Sequence, residues 1–373
     1  MKVGILTFHF GRNYGALLQA YGLCKAIASI GHKSCVVHYL PQHASGYMTA
    51  GENAWLRLGW RTAGPRMAIE RRLRTYRFNR FKEKKLHLTR LCHTKDELVQ
   101  LLSTFDAVAV GSDQVWNLNF VQSDDLCYFL DFPVPDTLRC LSYAACCGRK
   151  DQPAAHLHKV APLLGKFHSI GVRNPVTAEF VKHLCGRDST IVADPTLLVG
   201  YDEVEEICNY SEKYIFVYVL ERNSVSDYAK VIGTLRQRLN LPVWAVSDGN
   251  RIWQDEPFPG ADRNWFGVSP SRFLSLLKQA QCVVTDSFHG TIFSVKYQKP
   301  FVTLDDGSWR NMRMEDLAQR YGVGHRIQNV HAPVDPSLLS RTDDLSAILQ
   351  RFNAHRDLSF GFLKKSLESG GSV

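Results

Sequence analysis

No run of about 18 consecutive apolar residues occurs in this 373-residue chain, so no membrane-spanning helix is expected. The N-terminus, MKVGILTFHFG, lacks the charged, apolar and cleavage regions of a secretory leader. It reads instead as a first core strand. None of the ten cysteines, at 24, 35, 92, 127, 140, 146, 147, 185, 208 and 282, forms a CxxC pair. Most sit in apolar runs, which predicts buried free thiols in a reducing, cytoplasmic compartment. Adjacent Cys146 and Cys147 leave room for a reactive pair, although neighbouring cysteines rarely bridge each other. There is no HxxH spacing or metal-ligand cluster, and no metal is expected. The first strand-to-helix turn, HFGRNYGA, is neither GxGxxG nor a P-loop, so dinucleotide and ATP fingerprints are missing from it. No internal repeat or low-complexity tract is evident.

What is present is ordinary for a globular protein: 45% hydrophobic and 22% charged residues, over a length that calls for two domains. The net charge of +9 is concentrated. Between Arg57 and Arg90, twelve Lys and Arg face only Glu70 and Glu83, a local balance of +10, so the remainder is close to neutral. Within it, residues 67–85 read as a basic helix interleaved with Leu73, Tyr76, Phe78 and Phe81. Such a helix lies as a solvated face over a domain edge, or on anionic lipid; no RNA- or DNA-binding motif accompanies it, and no nucleic-acid partner is expected.

The apolar pattern alternates between short strands and helices. Residues 2–8, a helix over 15–30 closed by Gly31, and a strand over 34–39 make a β-α-β unit, which demands a parallel sheet. Strands follow at 105–110, 140–145 and 169–172, with helical pattern over 154–167 and 175–184. Residues 42–64 and 249–268 read as irregular. A second unit begins near Tyr214, with strands at 214–220, 242–246, 282–285 and 301–304. Its helices cover 225–239, 269–281, 291–297 and 311–321. The expected architecture is α/β, two Rossmann-like domains facing a cleft. Their spans are 1–198, with a basic helical insertion at 57–90, and 213–335. A C-terminal helix within 340–369 is expected to pack back on the N-terminal domain.

Ligands of such sheets gather at the carboxyl ends of strands. Four strand ends carry chemistry. Asn13, Tyr14 and Gly15 follow the first strand; they suit a ligand-facing loop or a capped helix. Asp113, Gln114, Trp116 and Asn117 in GSDQVWN follow the strand at 105–110. They read as polar groups gathered around an aromatic, or as a turn held by Asp113 with Trp116 in the core. Arg173 follows the strand at 169–172, able to grip a carboxylate or phosphate bidentately or to form a surface ion pair. Asp286 and Ser287 stop the strand at 282–285. Phe288, His289 and Gly290 then read as a turn before a helix, with His289 either a proton carrier near neutral pH or satisfied by the backbone.

Taken in order, TFHFGRNYGALLQAYGL, AVGSDQVWN, SYAA, VRN, ADPTLL, TDSFHGTIFSVKYQKPF and NMRMEDL make the chain resemble the polysaccharide pyruvyl transferase family over nearly its whole length. The resemblance implies a GT-B-like fold, with the N-terminal domain as the acceptor side. It also implies transfer of a pyruvyl group from phosphoenolpyruvate to a sugar of a surface polysaccharide or its lipid-linked precursor, as a cyclic ketal. It implies no cofactor. Arg173 matches the family's phosphoenolpyruvate-gripping Arg, and His289 matches the His of its (R/S)-(L/F)-H-G motif. Better-understood members read Arg-Leu-His where this chain reads Ser287-Phe288-His289. One expected cation is thus absent, leaving Arg313 or Lys296 to compensate, or a different donor. His289 is the first acid/base candidate and Asp113 the second. Membrane contact through the basic helix would place the enzyme beside a lipid-linked acceptor. A nucleotide-sugar glycosyltransferase and a binding protein with a decayed site remain as alternatives.

Overall fold

The computed structural model describes residues 1–41, 64–120, 125–221, 224–247, 257–307, 312–339 and 344–368. The irregular segment expected at 42–64 lies almost wholly outside them. The first sheet holds β1 (Lys2–Leu6), β2 (Lys33–Val36), β3 (Ala107–Val110), β4 (Arg139–Ala145), β5 (Ser169–Val172) and β6 (Thr190–Ile191). The second holds β7 (Ile215–Tyr218), β8 (Val243–Val246), β9 (Arg263–Trp265), β10 (Cys282–Thr285), β11 (Phe301–Asp305) and β12 (Ile327–Asn329). The orders are β2-β1-β3-β4-β5-β6 and β12-β11-β10-β7-β8-β9, with every pairing parallel. Sequences such as AVAV, IFVY, VWAV and CVVT are apolar throughout and buried along their length, as strands covered by helices on both faces must be. β9 corrects the reading of 249–268 as irregular throughout: three residues, two of them polar, carry too short a pattern to be recognised. β6 and β12 escaped for the same reason.

The helices are α1 (Tyr14–Ser29), α2 (Gly64–Lys85), α3 (Lys95–Leu102), α4 (Ala154–Val160), α5 (Pro175–Cys185), α6 (Pro195–Leu198), α7 (Val225–Leu239), α8 (Pro270–Gln279), α9 (Phe288–Lys296), α10 (Met312–Tyr321) and α11 (Leu345–Glu368). α1 is the hub. Its sequence, YGALLQAYGLCKAIAS, is apolar on every side, and almost all of it is buried. A helix apolar all round belongs in an interior, and here that interior lies between the two sheets. Tyr14 stacks on Phe273 of α8 at 4.4 Å between ring centroids, and one apolar cluster runs from Leu17 and Leu23 through Tyr218 and Phe273 to Phe352 and Leu363. The domains are therefore closed against each other around α1. α11 ties them further than expected. It meets the first domain where the Ala193 N–H donates to Ser359 Oγ at 2.8 Å, and the second where Tyr321 packs on Phe352 at 4.1 Å.

Each sheet reverses its strand order at one place, between β1 and β3 and between β7 and β10. Those switch points are where α/β sheets open a crevice at their carboxyl edges. Thr7 and Ser112 meet across the first, through Thr7 Oγ1 donating to the Ser112 carbonyl at 3.0 Å. Asp286 spans the second, its carboxylate accepting the N–H groups of Leu220 and Glu221 at 2.7 and 2.8 Å.

Candidate functional site

Helix boundaries set the site. Ser287 adopts an extended conformation and caps α9, its hydroxyl accepting the Gly290 N–H at 3.3 Å. The helix thus begins at Phe288, and the turn expected over Phe288–Gly290 is instead the first helical turn. The cap residue and the short-range bonds it makes outweigh the glycine, which the sequence pattern had favoured as a turn. His289 is fixed on the helix, buried, and projects toward the first domain.

There it meets a carboxylate that the sequence reading did not single out. Asp194 follows β6 and caps α6, using Oδ1 to accept from the N–H and hydroxyl of Thr196 at 3.0 and 2.7 Å. Its Oδ2 stands 3.6 Å from His289 Nε2 and 3.4 Å from Arg173 Nε. Arg173, at the end of β5, also reaches Asp113 Oδ1 at 3.5 Å and donates to Ser112 Oγ at 3.3 Å. Its guanidinium lies over the Phe288 ring at 5.2 Å. Asp113 is held at φ +71°, in the left-handed region, with its carbonyl accepting from the Cys146 N–H. Gly15, in the first turn of α1, lies against the His289 ring; a Cβ there would come within 2.0 Å of Nδ1.

Ser112, Asp113, Arg173, Asp194, Phe288 and His289 thus converge where the two carboxyl edges meet. Arg173 is 3% exposed, Asp194 2% and His289 8%. Burial alone would lower the Arg173 pKa, but Asp194 and Asp113 together hold it above its ordinary value. Burial would likewise raise the Asp194 carboxyl, yet Arg173, His289 and the Thr196 N–H pull it well below the carboxylate range. The cluster keeps unspent capacity. Arg173 Nε and Nη1, Asp194 Oδ2 and His289 Nε2 are buried without a hydrogen-bond partner. Buried polar atoms are ordinarily paired, and four such atoms at one place mark where a ligand's polar groups fit.

The other expected residues have filled roles. Asn13 caps α1, accepting the Ala16 N–H at 2.9 Å. Tyr14 is fully buried in the domain interface, its hydroxyl donating to the Val268 carbonyl, so it packs rather than facing a ligand. Trp116 is also fully buried; it stacks on Phe129 and donates Nε1–H to the Tyr128 carbonyl at 2.9 Å. Gln114 and Asn117 bond each other at 2.9 Å and close the turn. Within GSDQVWN only Ser112 and Asp113 stand beside Arg173; the aromatic ring is in the core, where burying it gains more than solvating it. Gly290 lets α9 approach β10, since a Cβ would come 2.4 Å from Thr285 Oγ1. Lys296 does not stand in for the absent Arg. It lies about two helical turns from His289, where its Nζ donates to the Thr196 carbonyl at 3.1 Å. Burial lowers its pKa to about 8. The Arg313 side chain and Asn311 lie outside the described residues. A second histidine after a strand, His9, is buried, donates Nδ1–H to the Thr7 carbonyl at 2.9 Å, and has its pKa lowered by burial to about 3.

A family model for polysaccharide pyruvyl transferases matches residues 13–308. The chain belongs to that family. No curated protein matches this transferase in sequence. Among solved structures it resembles a UDP-N-acetylglucosamine 2-epimerase from Listeria monocytogenes, with a TM-score of 0.57 at 10% identity, covering 98% of this chain and 96% of that one. It also resembles the UDP-GlcNAc 2-epimerase from Methanocaldococcus jannaschii, with a TM-score of 0.50 at 10% identity and 91% coverage of both. At such identity the likeness is one of fold, that of two Rossmann-like domains in GT-B arrangement. Among the described residues no group of three or more His, Cys, Asp or Glu could hold a metal, and no helix is long and apolar enough to cross a membrane. All ten cysteines are free, seven of them buried, Cys146 and Cys147 among these.

Proposed function

We propose that this transferase moves a pyruvyl group from phosphoenolpyruvate onto two hydroxyls of a sugar, on a surface polysaccharide or its lipid-linked precursor. The observation that carries the reading is the convergence of buried Arg173, Asp194 and His289, which face one another at 3.4 and 3.6 Å and leave Arg173 Nη1 without a hydrogen-bond partner. Phosphoenolpyruvate brings a carboxylate and a phosphate. The Arg173 guanidinium, with Nη1 unbonded, offers a charged donor to one of them. The N-terminal end of α9 adds partial positive charge beside His289. Ser287 supplies none, and Arg313, on α10, is the remaining cation assigned to the donor.

His289 gives its ring proton to the methylene carbon of phosphoenolpyruvate once the donor displaces the Nε2–Asp194 contact. This makes the adjacent carbon electrophilic. One sugar hydroxyl adds there and its proton passes to Asp113; the C–O bond to phosphate then breaks, phosphate taking the electron pair. The second hydroxyl adds to the same carbon, returns its proton to His289 and closes the ketal, while Asp113 passes its proton to the departing phosphate. The balance is phosphoenolpyruvate plus diol to ketal plus inorganic phosphate.

Titration calorimetry against phosphoenolpyruvate and a panel of nucleotide sugars tests the donor. Phosphoenolpyruvate should bind, and Arg173→Ala should weaken it by about 2–4 kcal/mol, with Arg173→Lys recovering only part. Binding of a nucleotide sugar with none of phosphoenolpyruvate would replace this reading by a glycosyltransferase. Binding of neither would favour a protein that keeps the fold without the chemistry.

A further inference from the structure

The basic helix α2 is not basic on all sides once folded, and its two faces do different work. The inner face docks. Phe78 and Phe81 are buried; Arg74 donates to the Phe266 carbonyl at 3.0 Å, Arg77 to that of Gly267, and Lys82 to that of Phe10 at 2.8 Å. These cations are spent on carbonyls of both domains. The outer face is a separate stripe. At 100° per residue, positions 69, 73, 76, 80 and 84 stand in one line. They are Ile69, Leu73, Tyr76, Arg80 and Lys84, all exposed, with Arg72 beside them and Glu83 the one exposed acid on that side.

Ile69 is 56% exposed, Leu73 38% and Tyr76 59%, so three of the eight large exposed hydrophobic residues among those described share one helical face. Packing does not account for them, because the helix already buries its other face. Apolar side chains flanked by long cations that can snorkel are the composition of a helix lying in a membrane interface.

We infer that the outer stripe of α2 docks the protein on an anionic lipid surface, with Ile69, Leu73 and Tyr76 in the acyl boundary and Arg72, Arg80 and Lys84 among the headgroup phosphates. Charge selects this occupant over a second copy. A two-fold dimer on the stripe would set its three cations against their own images, whereas an anionic bilayer neutralises them. The inference holds whatever the donor of the transfer reaction is.

The test is co-sedimentation of the full chain with vesicles of phosphatidylglycerol and phosphatidylcholine, against phosphatidylcholine alone, at low and high salt. Binding should require the anionic lipid and weaken with salt. Each of Arg72→Glu, Arg80→Glu and Lys84→Glu should cost about fivefold or more in affinity. Leu73→Ser with Tyr76→Ser should reduce binding to anionic vesicles by about tenfold or more, with the thermal melt unchanged because these side chains are exposed. Arg74→Glu, on the inner face, serves as the contrast, because it should disturb the melt. No binding to anionic vesicles at low salt overturns the inference, as does binding that the stripe variants leave intact. Concentration-dependent dimerisation that the Leu73 and Tyr76 changes abolish would reassign the stripe to a homotypic contact.

Discussion

At the residue scale, the proposed role of His289 beside Asp194 predicts that catalysis and donor binding separate. His289→Asn keeps a hydrogen-bonding side chain but cannot carry the proton. Turnover should fall by about 10²–10⁴ with donor affinity nearly normal, as calorimetry and phosphate release would show. Asp194→Asn should lower turnover by a smaller factor and displace the alkaline limb of the pH–rate profile, where a general acid loses its proton, because the ring loses the neighbouring charge. An unchanged profile would leave Asp194 as a helix cap alone. His9 makes the opposite kind of prediction. Its folded pKa, lowered by burial to about 3, lies below the ordinary 6.5, so the unfolded chain binds the extra proton first. Stability from neutral His9 is therefore complete above about pH 6.5 and drains away as the pH falls toward 3. Between about pH 7 and about pH 5 the protein should lose about 2 kcal/mol more than His9→Gln does, measured by denaturant unfolding. Equal losses would show that the ring is already charged or solvated in the native state.

At the scale of the element, the two helix starts that meet at the site are matched to each other. The second residue of α1, Gly15, lacks a side chain, so α9 can present His289 against it. Gly15→Ala sets two effects in opposition. Alanine in a helix gains about 1 kcal/mol over glycine, but its Cβ would stand 2.0 Å from His289 Nδ1. The ring is buried on a capped helix and has little room to yield, so the clash should win. We expect a lower melting temperature together with a loss of turnover of about 10²-fold or more. A stabilised, active variant would mean that the domains stand further apart at this point in solution.

At the scale of the whole molecule, α1, α8 and α11 weld the two sheets into one apolar core. Two domains joined by a small polar interface would unfold separately; these should not. Calorimetry should record a single transition for both sheets, and Phe273→Ala, which removes the ring stacked on Tyr14, should lower it as a unit at a cost of about 3–5 kcal/mol. Two resolved transitions in the wild type would contradict the shared core. With Arg173 and His289 closed from solvent, the proposed donor would enter only if the domains part, and the same weld would then set how readily the site opens.

The amino-acid sequence by itself determined the two parallel sheets, because runs such as AVAV, IFVY and CVVT can only be doubly covered strands, and their spacing leaves helices between them. It also placed Arg173, Asp113 and His289 at strand ends and showed that the charge was gathered in one helix. The ordered motifs were enough to indicate the family. Tertiary structure decided the rest. Asp194 was not singled out by the sequence, and only folding shows that, besides capping α6, it leaves its second oxygen facing Arg173 and His289, which are 21 and 95 positions away in the chain. Tyr14 and Trp116 looked like ligand-facing aromatics and became core, since whether an aromatic at a strand end meets solvent depends on which element packs over it. The cations of α2 were countable in the sequence, yet which were spent inward on backbone carbonyls and which were left on the outer stripe depended on the domain surface beneath them. Local propensity and periodicity are carried by neighbours in the chain; pairing between distant charges, and the choice of buried face, are carried by contacts that exist only once the two domains have closed.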